Sequence, residues 1–592
     1  MDILYPPGPS AVPATLTQPT RAYRHHAWLA MAGLLLFVAL YFAMTGWFAW
    51  TAYKLLSAAF SSGHDAFSGF IVGLCAAFLA VFMAKAIFFI KHAQKVEDIE
   101  IKPEQHQKLF AFLYRLADEA HAPRPHRVFL SPRVNAAVFY DLSILNLLFP
   151  SKKNLEIGLA LVNVLSLGEL KAVLAHEFGH FAQRSMAVGR WVYIAQQIAG
   201  QIIAKRDILD RFLDGLSRID IRIAWVGWLL SLVVWSLRSI TETAFRVVVL
   251  AQRALSREME LQADLVAVSL TGSDALVHAL YRLHTADEAW TRTLNFAGVE
   301  ANEGRAIADV FAVQTRVIDH LRNVFNNADF GDVPAVAGKP DTHRIFKTEL
   351  AQSPRMWSTH PANSERENNA KRTYIQATVD ARSAWELFDN VPALKEEMSR
   401  HILRDAKKTE PHPLDATLKK LDEQYERPFL NRSYRGTYLG RSIARHAKTV
   451  SDLYDAATST ATEFSQLYPE SLAADIERLR ELEEEIAALQ ALQDGVLTAP
   501  GGVIRHRGRD LRKRELPRVI SALRDELART RENLHTHDRR CRTTCLRAAT
   551  NLGGGWDTYV KGLLSVVHFA DHTEANIRDA HGLLGNVYAV VT

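Results

Sequence analysis

Two uncharged apolar runs near the N-terminus constrain the fold of this chain more than any other feature. The first run extends from Ala27 to Tyr53 and the second from Ala66 to Ala84. A helix needs about 20 apolar residues to cross a bilayer, and the first run is too long for the core of a cleaved signal peptide. We therefore predict a transmembrane hairpin over residues 27–92, with a hairpin buried in a soluble protein as the alternative. The proline-rich residues 1–26 are predicted to form a flexible tail.

Charged residues that flank the two runs predict the orientation of the hairpin. Arg21 and Arg24 precede the first run, Lys91 and Lys95 follow the second, and the connecting loop carries Lys54. The positive-inside rule then places both ends of the hairpin in the cytoplasm. We expect a multi-pass protein of the cell (inner) membrane, in contact with the lipid bilayer, whose chain after about residue 92 begins on the cytoplasmic side.

A further apolar region within residues 186–250 has two open interpretations. It contains a short stretch from Trp191 to Ala204 and a second from Ile223 to Leu237, separated by charged residues. Fifteen residues are marginal for crossing a bilayer. The region forms either a second membrane hairpin or helices that lie at the membrane surface with their tryptophans at headgroup depth.

Charge and cysteine content limit the classes of function. A net charge of +5 over 592 residues does not by itself indicate a nucleic-acid-binding protein. The three cysteines, Cys75, Cys541 and Cys545, do not make a disulfide framework, which is typical of a reducing compartment. Cys541 and Cys545 lie four apart in a predicted helix. We interpret them as packed or solvated thiols, with a metal or redox pair as the alternative.

The most informative motif follows a predicted helix start at Ser166. Ser166 and Glu169 have the spacing of a capping box, after which apolar residues recur with helical spacing. His176 and His180 are four residues apart, so both imidazoles lie on one face of the helix and can bind one ion. Glu177 lies at the edge of that face and can reach a water molecule at the metal. This is the H-E-x-x-H arrangement of zinc peptidases.

A catalytic zinc ion takes three protein ligands and keeps one position open for water. The best candidate for the third ligand is Glu260, on a predicted helix that also carries Asp264 one turn later. Asp264 would then orient a ligand histidine through a hydrogen bond. From the spacing alone, two carboxylates on a helix are more typical of a solvated face.

These two segments together resemble the membrane zinc endopeptidase family of the heat-shock protease HtpX and the CAAX prenyl endopeptidase. The resemblance implies one zinc ion per chain bound by His176, His180 and Glu260. It also implies that Glu177 is the general base and that Asp264 lies beside the site. The match covers roughly residues 100–375 and is most specific in the two metal-ligand segments.

Two shorter elements are similar to motifs of the same family. Thr359-His360-Pro361, followed by Arg366, resembles an element whose histidine and arginine face the substrate or the developing oxyanion. The resemblance therefore implies catalytic roles for His360 and Arg366. Asn135-Ala136-Ala137 resembles a segment that precedes an edge strand.

The expected fold is mainly α with a small β-sheet, a zincin-like metallopeptidase domain over residues 93–375 that follows the transmembrane helices. Residues 126–130 and 155–162 are the predicted strands. The expected function is hydrolysis of peptide or protein substrates by metal-activated water, with misfolded membrane proteins as candidate substrates by analogy. The alternative is a catalytically silent membrane scaffold of the same fold.

Residues 376–592 are predicted to form an α-helical region that lacks a catalytic motif. Apolar residues spaced by three and four predict one helix over about 472–489, and a second runs from about 517 to 534, which together make a helical hairpin. Basic residues fill the segment between them, from Arg505 to Arg518. We expect them to pair with the acidic helix around Glu485 rather than to bind lipid or nucleic acid. No nucleic-acid partner is expected.

Overall fold

A computed structural model describes residues 4–61, 66–88, 98–140, 153–182, 221–325, 327–336, 338–346, 361–404, 410–426, 431–455, 463–495, 497, 504–507 and 509–591. These residues are mainly helical, with a small mixed sheet, as the sequence predicts. They divide into two compact units. Unit 1 holds the described residues up to Thr291, those within Val333–Phe346 and those from 361 to 404. Unit 2 holds the described residues within Arg292–Asp332 and those from 410 onward.

Unit 1 begins with two long apolar helices, α1 (Arg21–Ser61) and α2 (Ala66–Phe88). Within them, Arg21–Phe60 and Phe67–Ala84 are long and apolar enough to cross a membrane, and they are the two such spans among the described residues. A third results if Leu255–Thr271 and Ser273–Asn302, which meet at 120°, are counted as one bent span. The predicted pair of N-terminal apolar helices is therefore present.

The sheet of unit 1 lies directly before the helix that carries the H-E-x-x-H motif. Its strands are β1 (Ile99–Ile101), β2 (Arg127–Ser131), β3 (Ala136–Tyr140) and β4 (Lys153–Gly158), and α3 (Gln107–Glu119) follows β1. The spatial order is β1-β2-β4-β3, with β2 and β4 parallel and the other pairs antiparallel. β3 therefore forms one edge of the sheet.

The second predicted strand, residues 155–162, extends four residues beyond the end of the observed strand β4. The chain leaves the sheet at Gly158 and turns into a short helix, α4 (Leu159–Val162), in which every residue is buried. A short continuous apolar run has the same pattern in a buried strand and in a buried helix, so periodicity could not locate this boundary.

Unit 1 contains further helices, the first of which carries the motif. They are α5 (Leu167–Ala182), α6 (Ile221–Thr271), the first part of α7 (Ser273–Asn302), α9 (Asn363–Ala370) and α10 (Val391–Ile402). The first half of α6 packs against α1 and α2 through Leu230, Val234 and Leu237. This half contains the predicted apolar stretch 223–237, whereas the stretch 191–204 lies outside the described residues.

The N-terminal residues are packed rather than free, which corrects the predicted flexible tail. Tyr5 and Leu16 are buried, and the Tyr5 hydroxyl donates to Glu119. Lys171, itself buried in α5, donates to the carbonyl of Pro6 at 2.8 Å. α1 begins at Arg21, so the last residues of the segment 1–26 are helical. The proline content of this segment therefore did not predict its structure.

Unit 2 is built mainly from a helical hairpin. Its helices are α8 (Val310–Val324), α11 (Leu414–Tyr425), α12 (Phe464–Leu467), α13 (Ser471–Asp494), α14 (Leu516–Leu552) and α15 (Trp556–Val591). Strand β5 (Arg305–Ile307) pairs with β6 (Glu410–His412), and β7 (Ile504–His506) pairs with β8 (Arg509–Leu511).

The predicted pairing of α13 with α14 is present. Leu479, Leu482 and Leu489 of α13 share one apolar core with Ile520 and Leu523 of α14. Gly495 ends α13 in a left-handed conformation, with φ of 78°. In the basic segment between these helices, Arg507 pairs with Glu485 at 2.8 Å, as the charge pattern predicts.

Candidate metal centre

The helix that carries the motif starts where the sequence predicts. The Ser166 backbone N–H donates to the Glu169 carboxylate at 2.8 Å, and the Glu169 N–H donates to the Ser166 hydroxyl at 3.3 Å. This reciprocal pair satisfies two of the N–H groups that a helix start leaves without partners. α5 is then almost wholly buried as far as Phe181, so its histidines lie in the interior of unit 1.

Two histidines and one distant glutamate converge in this interior. His176 Nε2 lies 3.2 Å from His180 Nε2. The Glu260 carboxylate, from α6, reaches both rings, with its oxygens 3.3 Å from His176 Nε2 and 3.5 Å from His180 Nε2. His176 and Glu260 are buried and His180 is nearly so. Among the described residues, this is the group of histidine, cysteine and carboxylate side chains whose donor atoms meet closely enough to hold one ion.

The spacing of the donor atoms of these three residues fits tetrahedral zinc. Ligand atoms about 2.05 Å from a tetrahedral ion are separated from one another by about 3.3 Å. The two Nε2 atoms are 3.2 Å apart, and the separations of 3.3 and 3.5 Å, each to a different oxygen of Glu260, are also close to that value. Two imidazoles and one carboxylate are also a donor set that leaves the fourth position open. The residues present therefore fit a catalytic zinc ion.

Asp264 and Arg366 lie on the other side of His176. The second ring nitrogen of His176, Nδ1, is 2.8 Å from Asp264 Oδ1. Arg366 Nε donates to the other Asp264 oxygen at 3.0 Å, and Asp264 is fully buried. A carboxylate at Nδ1 fixes the proton on that nitrogen, and Nε2 is then free to bind a metal.

The electrostatics of this pair follow from burial and from the arginine. Burial disfavours the charged form of Asp264, but the nearby Arg366 guanidinium and the His176 hydrogen bond hold its pKa below the ordinary value. Burial likewise lowers the pKa of His176, but its hydrogen bonds to Asp264 and Glu260 outweigh that effect and raise its pKa to about 9. In the metal-free protein, the cluster therefore holds a proton where an ion would bind.

Gly179, between the two histidines, is a functional position that the sequence interpretation missed. A Cβ atom built on it would come within 3.0 Å of the Ala263 backbone on α6. Gly179 thus allows α5 and α6 to pack closely enough for Glu260 to reach the imidazoles. A glycine inside an otherwise apolar helix is a signal for such a close approach.

The other predicted site residues are Glu177, Arg366 and His360, and they lie at different positions relative to the donor atoms or outside the described residues. Glu177 is buried beside His176, on the same helix. Arg366, from α9, faces Asp264 and comes within 3.3 Å of His176 Nδ1, behind the histidine rather than at the Nε2 side where the donors converge. His360 lies outside the described residues.

A buried set of two helical imidazoles and one carboxylate is a donor set typical of one class of protein, the hydrolases that use a bound metal ion. Residues 103–374 match the model of Peptidase family M48. The chain is 27% identical over 292 residues to Protease HtpX homolog 2 of Methanosarcina mazei, a match that covers 47% of this chain and 83% of that protein. It is 30% identical over 179 residues to Protease HtpX homolog of Nostoc punctiforme, covering 30% and 56%.

The match to Protease HtpX homolog of Acaryochloris marina has 29% identity over 188 residues, covering 31% of this chain and 58% of that protein. No solved structure matches the chain at a significant level. Residues 103–374 thus form a domain of peptidase family M48, of the HtpX type, and the chain is a protease.

Proposed function

We propose that this protein is a membrane-anchored, zinc-dependent endopeptidase in which His176, His180 and Glu260 hold one zinc ion. The observation that carries the proposal is the convergence of donor atoms: the two Nε2 atoms lie 3.2 Å apart, one Glu260 oxygen is 3.3 Å from His176 Nε2, and the other is 3.5 Å from His180 Nε2, separations close to those expected around tetrahedral zinc. A solvated acidic face, the alternative that spacing alone favoured for Glu260, is not compatible with its burial.

Glu177, Asp264 and Arg366 have different roles in the proposed reaction. When bound, zinc supplies a Lewis acid that polarises the scissile carbonyl and lowers the pKa of water. Glu177, buried beside His176, takes the proton of the attacking water and passes it to the leaving amine. Asp264 and Arg366 keep the His176 ring in the tautomer and orientation that present Nε2.

We propose that substrate binds beside this site at the edge strand β3. Its outer edge is not paired with another strand among the described residues, and α5 packs against β3. An extended peptide can add to such an edge through backbone hydrogen bonds. His360 would face the substrate oxyanion, a role that rests on the sequence resemblance.

Exposed apolar surface and N-terminal contacts support the proposed membrane topology. Trp228, Leu232 and Trp235 of α6 are exposed on the face turned away from α1 and α2, as side chains in lipid would be. The contacts of Tyr5 with α3 and of Pro6 with α5 support a topology in which the start of α1 lies on the same side of the membrane as α5. The charges that flank the two spans support the cytoplasm as that side. Peptide bonds of misfolded membrane proteins are the proposed substrates.

The test combines zinc content with cleavage of an unfolded membrane protein by the full chain in detergent. Wild type should contain about one zinc per chain and cleave the substrate. Glu177→Gln should keep the zinc and lose cleavage by about 1000-fold or more, because the proton acceptor is gone. Glu104→Gln, which changes an exposed glutamate of unit 1, is the matched control and should behave as wild type. Zinc-free wild-type protein without cleavage would favour a silent scaffold.

A further inference from the structure

The last helix of the chain, α15, leaves a regular apolar stripe exposed. The stripe is called the heptad face and consists of Trp556, Tyr559, Leu563, Val566, Ala570, Thr573, Ile577, Ala580, Leu584 and Val587. Its seven large apolar members are between 47% and 65% exposed, and Phe569 and Leu583 beside the stripe are exposed as well. Folded monomers rarely expose a continuous apolar patch larger than a few hundred Å². A stripe along about 48 Å of helix needs a partner.

The opposite side of α15 already has its partner within unit 2. Asp571 accepts hydrogen bonds from the backbone N–H groups of Ile443 and Ala444, at 3.0 and 2.7 Å. His568 and His572 both place Nε2 against the Ala447 carbonyl, at 3.0 and 3.2 Å. This side fixes α15 in place, and the heptad face is turned away from it.

The spacing of the heptad face indicates what covers it. Its members follow one another at alternating steps of three and four residues without a break. That period of 3.5 residues is the period of a coiled-coil seam, whereas the apolar face of a helix packed in a globular core follows 3.6. The expected occupant is therefore another helix with the same period.

The charge of α15 argues against a lipid surface as the occupant. Helices that lie on membranes carry an excess of lysine and arginine on the polar face, which attracts anionic lipid headgroups. The charged residues of α15 are four acidic against two basic, namely Asp557, Asp571, Glu574 and Asp579 against Lys561 and Arg578. None of these six charges falls on the heptad face.

We propose that the heptad face of α15 pairs with the same face of a second copy of this chain and makes the protein a dimer. A symmetric dimer needs only one self-complementary surface, and this chain supplies one. An interface of about 800 Å² per partner is typical of stable complexes, and ten consecutive seam positions provide surface of that order.

A photoreactive benzophenone amino acid at the position of Val566, in the full chain in its native membrane, tests which molecule covers the face. An adduct with the mass of two chains supports the proposal. Adducts to lipid, adducts to a different protein, or no adduct would overturn it. The same probe at Thr558, exposed on α15 but outside the heptad face, is the control and should give no chain–chain adduct.

A pair of charge substitutions tests the same face in solution. The full chain in detergent should have the mass of a dimer by light scattering. Val566→Glu with Ile577→Glu should weaken the dimer by at least about 100-fold, because two charges would enter an apolar seam. Thr558→Glu should remain a dimer. Unchanged helix content by circular dichroism shows that the double variant folds, and a dimer that persists in a folded double variant contradicts the proposal.

Discussion

The two units each bury an aspartate that pairs with an arginine beside a histidine, and of these two clusters the one in unit 1 brings together donor atoms that could hold a metal ion. In unit 1, Asp264 accepts from Arg366 and faces His176. In unit 2, Asp538 accepts two hydrogen bonds from Arg441, at 2.6 and 2.8 Å, and lies 3.7 Å from His537 Nδ1. The two aspartates are equally buried.

The difference lies at the other nitrogen of each histidine. His176 Nε2 faces a second imidazole and a carboxylate, two groups that can each donate a lone pair to an ion. His537 Nε2 lies 2.6 Å from the Leu467 carbonyl, which requires a proton on that nitrogen. Cys541 is the further neighbour, with Sγ at 3.5 Å from the same nitrogen.

A raised pKa does not distinguish the two clusters. Burial lowers the pKa of both histidines, and their acidic neighbours more than compensate, to about 9 for His176 and about 10 for His537. What distinguishes them is the convergence of donor atoms in unit 1. In unit 2, His537 Nε2 donates its proton to the Leu467 carbonyl, and this hydrogen bond holds α14 to the chain around Leu467.

The largest expected effect is a difference in zinc content between a variant of the unit 1 cluster and a variant of the unit 2 cluster. Glu260→Ala removes one of the three proposed zinc ligands, so zinc should fall from about one per chain to near zero and cleavage should fall by about 1000-fold or more. His537→Ala should leave zinc at about one per chain. Elemental analysis of both purified variants measures the zinc content. Equal zinc loss in the two variants would contradict the proposed difference in metal binding between the two clusters.

The next effect should appear in stability rather than in metal binding. Asp538→Ala leaves the Arg441 guanidinium buried without its partner, which should cost about 3–5 kcal/mol of unfolding free energy. Zinc content should not change. Urea unfolding monitored on unit 2 measures the loss, with Asp525→Ala, an exposed position on α14, as the control. A loss below 1 kcal/mol would show that the Asp538 cluster contributes little to the stability of unit 2.

A smaller effect should come from the group that orients His176. Asp264→Asn removes the carboxylate at Nδ1 and should weaken zinc binding by about 10- to 100-fold without abolishing it. Competition with a zinc chelator measures the affinity. An affinity equal to wild type would mean that Asp264 does not orient the ring.

The smallest expected effect is the dependence of zinc binding on pH, measured per pH unit. In the metal-free protein the pKa of His176 is raised to about 9, above its ordinary 6.5, so the protonated form stabilises the fold below pH 6.5 and this contribution is lost as the pH rises through 9. Zinc needs the deprotonated ring and should therefore bind about tenfold more tightly for each pH unit between 6.5 and 8.5. The shift in melting temperature on adding zinc should grow with pH over this range. A shift that shrinks would reverse the assigned sign.

Patterns local to one helix could be predicted from the sequence, and contacts between distant segments could not. The capping box of Ser166 and Glu169 and the spacing of His176 and His180 are properties of one helix. The role of Glu260 as a third ligand followed from the family resemblance, because the spacing of Glu260 and Asp264 alone favoured a solvated helix face. The position of Arg366 behind His176 and the close approach at Gly179 depend on how α5, α6 and α9 pack.

The N-terminal segment illustrates the same limit. Five prolines and no periodicity in residues 1–20 predicted a free tail. Its order comes from partners more than 100 residues away, among them Glu119, Lys171 and Gln262. A buried lysine inside the motif helix was the one available signal, because such a side chain needs acceptors from elsewhere in the chain.

Zinc K-edge X-ray absorption of the purified full chain tests the central claim most directly. We expect zinc with two imidazole nitrogens at about 2.0 Å and oxygen ligands completing a four-coordinate shell, lost in His180→Ala and unchanged in His537→Ala. A sulfur neighbour at about 2.3 Å would place the ion at a cysteine instead. That result, or wild-type protein that takes up no zinc, would contradict the assignment of His176, His180 and Glu260 as the metal centre.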